Sequence, residues 1–173
     1  MITGEIRNKI DSLWDAFAAG GIVNPLEVVE QITYLMFIKD LDDIDIKGQK
    51  EDSMLGIKHT TIFKDVVDIN ERKVEGKILR WSNFKHFEAK EMYKTISEYV
   101  FPFIKNLDSG KESAYSKYMG DAMFKLPTAQ LLQKVVSSLD EIYDLMNDME
   151  SVDVRGDVYE YLLSKISQSG LNG

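Results

Sequence analysis

The sequence predicts a mainly α-helical protein, a single helical-bundle domain of about six helices. Three observations lead there. Apolar residues recur at spacings of three and four along most of the 173 residues. Several of these stretches open on a capping residue or close on glycine. No repeat, low-complexity tract or Pro/Gly/Ser-rich linker divides the chain.

Taken in order, Ile6, Ile10, Leu13, Trp14 and Phe17 share one face of a first helix, with Thr3 as N-cap, Gly20-Gly21 as stop and Trp14 in the core. Asn24-Pro25 opens a second: Asn caps, Pro takes the first helical position, and Glu27 and Glu30 lie near the positive dipole end. Its body, Leu26 to Leu41, is apolar on most faces, which places it centrally. Lys47 to Ser53 reads as a polar surface loop, and Asp40, Asp42, Asp43 and Asp45 as a solvated helix end. The region from Met54 to Phe87 is the least regular, and a short β or extended segment is expected around residues 74–84, at Gly76-Lys77-Ile78-Leu79-Arg80-Trp81. Met92, Ile96, Tyr99, Val100, Phe103 and Leu107 form a further stripe that Pro102 should end or kink. A short helix is expected on Tyr115, Tyr118, Met119 and Ala122. Thr128 caps a helix carrying Leu131, Leu132, Val135, Val136, Leu139 and Ile142. Asp153 caps the last, whose face is Val154, Val158, Tyr161, Leu162 and Ile166 and which ends near Gly170.

Composition sets bounds on chemistry. The absence of cysteine excludes disulfides, thiolate metal sites and cysteine nucleophiles, and fits a reducing cytoplasm. No apolar run approaches the ~20 residues of a membrane span. A net charge of −8 disfavours phosphate contacts, so the chain alone should bind DNA poorly. The charge is uneven, however. Lys58, Lys64, Arg72, Lys73, Lys77, Arg80 and Lys85 face only Asp65, Asp68, Glu71 and Glu75 in the same window, flanked by His59 and His86. Lys73, Lys77, Arg80 and Lys85 are therefore the candidate DNA phosphate contacts. Trp81 is a candidate base-stacking residue as much as a core one. The acidic cluster lacks the Asp-x-Asp-x-Asp-Gly spacing of a calcium loop, and two histidines without cysteines make a poor metal site.

Gly156-Asp157-Val158-Tyr159-Glu160-Tyr161-Leu162-Leu163 resembles the Gly-Asp-x-Tyr-Glu-Tyr-Leu-Leu stretch of the modification (methyltransferase) subunit of type I restriction-modification systems. Asn24 to Lys39, with its closing Phe37-Ile38-Lys39, is similar to that family's second helix. Arg80-Trp81, Phe84-Lys85 and Val100 to Ile104 look like its middle portion, and Met119 to Val136 like the stretch that leads up to its Gly-Asp-x-Tyr-Glu-Tyr-Leu-Leu segment. Val154-Arg155 departs from the family's usual Thr-Lys. The resemblance identifies residues 1–173 as the N-terminal helical domain of an adenine-specific DNA methyltransferase subunit. It implies that a Gln-Phe-x-Thr-Pro-Arg motif and the S-adenosylmethionine-binding catalytic domain lie beyond residue 173.

On that basis no catalytic, cofactor or metal residue is expected here, because neither the Gly-containing cofactor turn nor an Asn-Pro-Pro-aromatic loop occurs in these residues. The fragment itself should be inactive, while the full-length subunit would use S-adenosylmethionine to methylate the exocyclic amine of adenine in double-stranded DNA. The implied partners are a specificity subunit, a second methyltransferase subunit and a restriction subunit, and the implied role is to help assemble that complex and clamp DNA. Tyr159 and Leu163 lie off the apolar face of the last helix and are the candidate contacts to the catalytic domain. The alternative is a self-contained helical interaction module or homodimeric adaptor.

Overall fold

Thr3 opens the first helix as its spacing predicts: its Oγ1 accepts the Ile6 N–H at 3.2 Å, satisfying one of the four donors that a helix start leaves unpaired. The computed structural model describes residues 2–107, 119–149 and 154–172. They fall into two compact units, Met1–Thr33 with Leu126–Gly173, and Tyr34–Lys125. The architecture is mainly α-helical, with one two-stranded antiparallel sheet.

In the first unit, helix α1 (Gly4–Ala19) buries Ile6, Ile10, Leu13, Ala16 and Phe17 and stops at Gly20. Trp14, expected in the core, is only half-buried on the flank of that stripe. The amphipathic helix α6 (Ala129–Asn147) packs against α1. Thr128 Oγ1 accepts the Leu131 N–H at 3.1 Å, and Leu131, Leu132, Val135, Val136, Leu139, Ile142 and Tyr143 are buried. Helix α7 (Val154–Asn172) buries Val154, Val158 and Leu162, with Tyr161 and Ile166 half-buried. It runs past Gly170, where a stop was expected; its expected cap, Asp153, lies outside the described residues. Polar ties join α7 to its neighbours. Tyr161 donates to Asp11 Oδ1 at 2.6 Å, Lys165 Nζ reaches the same oxygen at 2.5 Å, and Arg155 Nη2 donates to the Tyr143 hydroxyl at 3.3 Å. Burial pushes the Asp11 carboxyl up, but its bonds from Lys165 and Tyr161 outweigh that and hold it below the usual carboxylate range.

Helix α2 (Pro25–Met54) begins as predicted, with Asn24 Oδ1 accepting the Leu26 N–H at 3.0 Å. It then continues through the segment expected to be a loop. Lys47 to Ser53 is a solvated stretch of helix, and polarity alone could not separate the two because no proline or positive-φ glycine interrupts it. Only Gly56, at φ 70°, ends the ladder.

The second unit holds the later turns of α2 and the hairpin of β1 (Val66–Ile69) and β2 (Arg72–Glu75), paired Val66 with Glu75, Val67 with Val74, Asp68 with Lys73 and Ile69 with Arg72. The strands thus lie earlier than expected. The run Gly76–Leu79 is a 3-10 turn and Trp81–Phe84 a single α-turn, α3, so the expected extended segment overlaps the sheet only at Val74 and Glu75. Asn70 and Glu71 both have positive φ, 49° and 67°, the two-residue I′ geometry that matches strand twist. Trp81 is buried edge-on to Phe84 at 5.5 Å, a core residue with no face left to stack on a base.

Helix α4 (Ala89–Thr95) runs into a π-turn at Ile96–Val100 and then α5 (Phe101–Lys105). Pro102 has no N–H and its ring crowds the carbonyl four residues back; the wider turn just before it relieves both. The extra residue also rotates the apolar stripe. Met92, Ile96 and Val100 are buried as expected, but Phe101 and Ile104 complete the face while Tyr99 and Phe103 move to half-buried positions. Tyr115 and Tyr118 lie outside the described residues, whereas Met119 and Ala122 are buried.

Candidate nucleic-acid interface

The predicted phosphate contacts fall on the hairpin and the short turns that follow it. Lys73 is exposed on the outer face of β2, and its register partner on β1 is Asp68. Lys77 is exposed in the 3-10 turn, with Nζ 3.3 Å from Glu75 Oε2. Lys85 is half-buried just after α3. Asp68 faces Lys73 across the strands and Glu75 pairs with Lys77, so the excess of positive charge counted along the sequence is partly cancelled in space.

Arg80 has a different role from the one its position in the basic window suggests. Its Nη1 donates to Asp42 Oδ1 at 2.8 Å and its Nη2 to Asp45 Oδ2 at 2.7 Å, bridging two carboxylates one helical turn apart on α2. The guanidinium also lies over the Phe63 ring, 4.5 Å from its centroid. The pairing is long-range: Arg80 is held inside the protein by acids 38 and 35 residues earlier in the chain.

Asp42 and Asp45, read as a solvated helix end, are 1% and 8% exposed in the middle of α2. Asp42 Oδ2 also accepts the Ser82 N–H at 2.8 Å, and Asp45 accepts from the Thr61 hydroxyl at 2.8 Å. His59 completes the network, with Nε2 3.0 Å from Asp45 and Nδ1 2.9 Å from Asp52. Both ring nitrogens face carboxylates, which favours the doubly protonated imidazolium. Hydrogen bonding to Asp52, then to Asp45, accordingly holds His59 above its ordinary value. For Asp45, burial acts upward, but the bonds from His59, Thr61 and Arg80 prevail and keep its carboxyl below the usual range. Among the described residues no buried side-chain polar atom lacks a partner.

Beside this network is an open cleft of about 580 Å³, lined in part by His59, Phe63, Lys64, Glu75, Lys77 and Arg80. Its two lysines are balanced by Asp65 and Glu75 in the same lining. No group of three or more His, Cys, Asp or Glu side chains among the described residues is arranged to hold a metal ion, and no described helix is long and apolar enough to cross a membrane. Tyr159 and Leu163, the predicted interdomain contacts, are 42% and 41% exposed on α7, off the face formed by its buried Val154, Val158 and Leu162.

The described residues form a mainly helical domain in which every buried side-chain polar atom has a partner. Residues 6–139 match the family described as the HsdM N-terminal domain, and the chain belongs to that family: it is the N-terminal domain of the methyltransferase (M) subunit of type I restriction-modification systems. The matched stretch lies outside Gly156 to Leu163, so the family rests on the helical body and not on that motif alone. No curated protein and no solved structure matches the chain.

Proposed function

We propose that these residues form a non-catalytic, cytoplasmic assembly domain that helps the methyltransferase subunit associate with its specificity subunit, a second methyltransferase subunit and the restriction subunit, and clamps double-stranded DNA. A catalytic domain outside these residues would carry S-adenosylmethionine and methylate the exocyclic amine of adenine. The base must leave the duplex for that chemistry, so DNA has to be held around the extraction point. Family membership supports the class of role. The structural observation that carries the assembly reading is α7, which has one buried face and exposes Tyr159 and Leu163 off that face. A helix with apolar side chains on two sides fits between two bodies.

The test uses thermal unfolding of the same double substitution in two contexts. Tyr159→Ser with Leu163→Ser should leave the 173-residue chain within about 0.5 kcal/mol of wild type, since both side chains are exposed there. In the full-length subunit it should cost about 2–3 kcal/mol through the loss of apolar burial. Equal effects in the two contexts would reject an interdomain role for this face.

Clamping through the hairpin rests on Lys73, Lys77 and Lys85, with Arg80 committed internally. In the assembled enzyme, replacing one of these lysines by alanine should weaken binding similarly on all sequences and flatten the logarithmic salt dependence by about one unit for each phosphate no longer neutralised. An unchanged slope for the triple variant would remove these residues from the DNA interface.

A further inference from the structure

Helix α2 ends in a Schellman closure. The Gly56 N–H donates to the Ser53 carbonyl at 3.2 Å and the Ile57 N–H to the Asp52 carbonyl at 2.8 Å, with Gly56 left-handed at φ 70°. In this motif the residue at Ile57's position usually packs against an apolar side chain one turn back. The residues there are Glu51 and Asp52, so Ile57 has no such neighbour. It stands 57% exposed, with Met54 at 87% and Leu55 at 72%. Three large apolar side chains within four residues are presented to solvent on a backbone fixed by two hydrogen bonds. His59, tied to Asp52 and Asp45, anchors the chain just beyond.

The surroundings are cationic. Lys47, Lys50 and Met54 share a helix face at spacings of three and four, and Lys58 follows Ile57 directly. All three lysines are exposed, and among the described residues none is ion-paired. Of the two acids between residues 46 and 58, Asp52 is held by His59, leaving Glu51. Lys73 and Lys77, by contrast, are matched by Asp68 and Glu75.

We propose that Met54, Leu55 and Ile57, rimmed by Lys47, Lys50 and Lys58, form a docking surface for a segment of a partner protein in which acidic residues flank apolar ones. Charge complementarity selects the acids, and the apolar centre selects the rest. A DNA backbone would answer the lysines but leave three apolar side chains in water. A bilayer surface needs a longer apolar face than one helix end supplies. The fixed backbone reduces the ordering cost of binding. None of its residues belongs to α7 or to the hairpin, so it is tested independently of the assembly and clamping readings.

The experiment compares two synthetic helical peptides that carry the same leucine and isoleucine positions, flanked by glutamate in one and by lysine in the other. Binding to the chain is read from the Met54 ε-methyl resonance and by fluorescence anisotropy. The glutamate peptide should bind saturably, more weakly as salt rises, and at least about tenfold tighter than the lysine peptide. Met54→Ser with Leu55→Ser and Ile57→Ser should abolish binding without changing the thermal midpoint, since these side chains are exposed. Lys47→Glu with Lys50→Glu should reverse the preference between the two peptides. Equal affinity for both peptides, or no saturable binding of the glutamate peptide, would overturn the proposal. So would a duplex oligonucleotide or anionic vesicles shifting the Met54 signal where the glutamate peptide does not.

Discussion

Replacing Arg80 by alanine separates the two roles that this residue could have. If it were chiefly a phosphate contact, Arg80→Ala would weaken DNA binding and leave folding intact; the geometry predicts the reverse. The guanidinium makes short bonds to Asp42 at 2.8 Å and Asp45 at 2.7 Å and covers Phe63. Breaking a buried ion pair by removing one partner costs about 3–5 kcal/mol, because the other charge is left unpaired. Here the lower end applies: Arg80 is itself 17% exposed, Asp42 keeps the Ser82 N–H, and Asp45 keeps Thr61 and His59. The expected loss is about 3 kcal/mol, which at a urea slope of about 2 kcal/mol per molar lowers the unfolding midpoint by about 1.5 M. Arg80→Lys should recover only part of it, since an ammonium cannot span two carboxylates as the fork does. Circular dichroism against urea gives the midpoint and slope, and Lys77→Ala, at an exposed pair, is the control expected within about 0.5 kcal/mol. A shift for Arg80→Ala below about 0.5 M at unchanged slope would refute the reasoning.

The His59 bridge makes stability pH-dependent with a definite sign. Its folded value is raised, so its contribution is complete below about pH 6.5 and is lost as pH rises through the folded value. Urea midpoints measured across this range should fall more steeply for wild type than for His59→Gln; parallel profiles would count against the bridge. Asp45, held low, acts in the opposite direction: its contribution is present above about pH 4 and disappears as pH falls through the folded value. A third prediction concerns Gly76, where an added Cβ would lie 1.8 Å from the Lys64 carbonyl oxygen. Backbone cannot yield as a side-chain tip can, so Gly76→Ala should destabilise by roughly 3 kcal/mol or more and perturb amide shifts through both strands. A variant as stable as wild type would show that the close approach is not required.

Local chemistry was legible in the sequence where it completes itself within four residues. Thr3, Asn24-Pro25 and Thr128 set their helices through bonds to N–H groups two or three positions on, and the structure has them where the spacing put them. What local pattern could not reveal depends on residues far apart. Asp42 and Asp45 interrupt the apolar periodicity of α2 and look like a helix end until Arg80 and His59 arrive to neutralise them. Trp81, in a short run between polar neighbours, gave no periodicity to mark it as core, whereas Trp14 sat on a clear stripe and is the less buried of the two. The hairpin was hidden by Glu71 in a position that usually advertises itself with glycine. A local signal for the true end of α2 was present all the same, in the helix-stop pattern of Gly56 between Leu55 and Ile57.

The π-turn at Ile96–Val100 sets the rotational phase of everything that follows it in its helix. Phe101 meets Phe124 at 5.2 Å and Tyr34 at 6.0 Å, and Phe103 meets Phe63 at 5.7 Å, only because one additional residue precedes them. Deleting any single residue from that turn would restore ordinary α-helical winding and swing both phenylalanines about 100° around the axis. The surface under the hairpin would lose its aromatic packing although no aromatic residue had been changed. Length at this point of the chain is therefore as much a determinant of the fold as composition, and a one-residue gap here should be less tolerable than most point substitutions nearby.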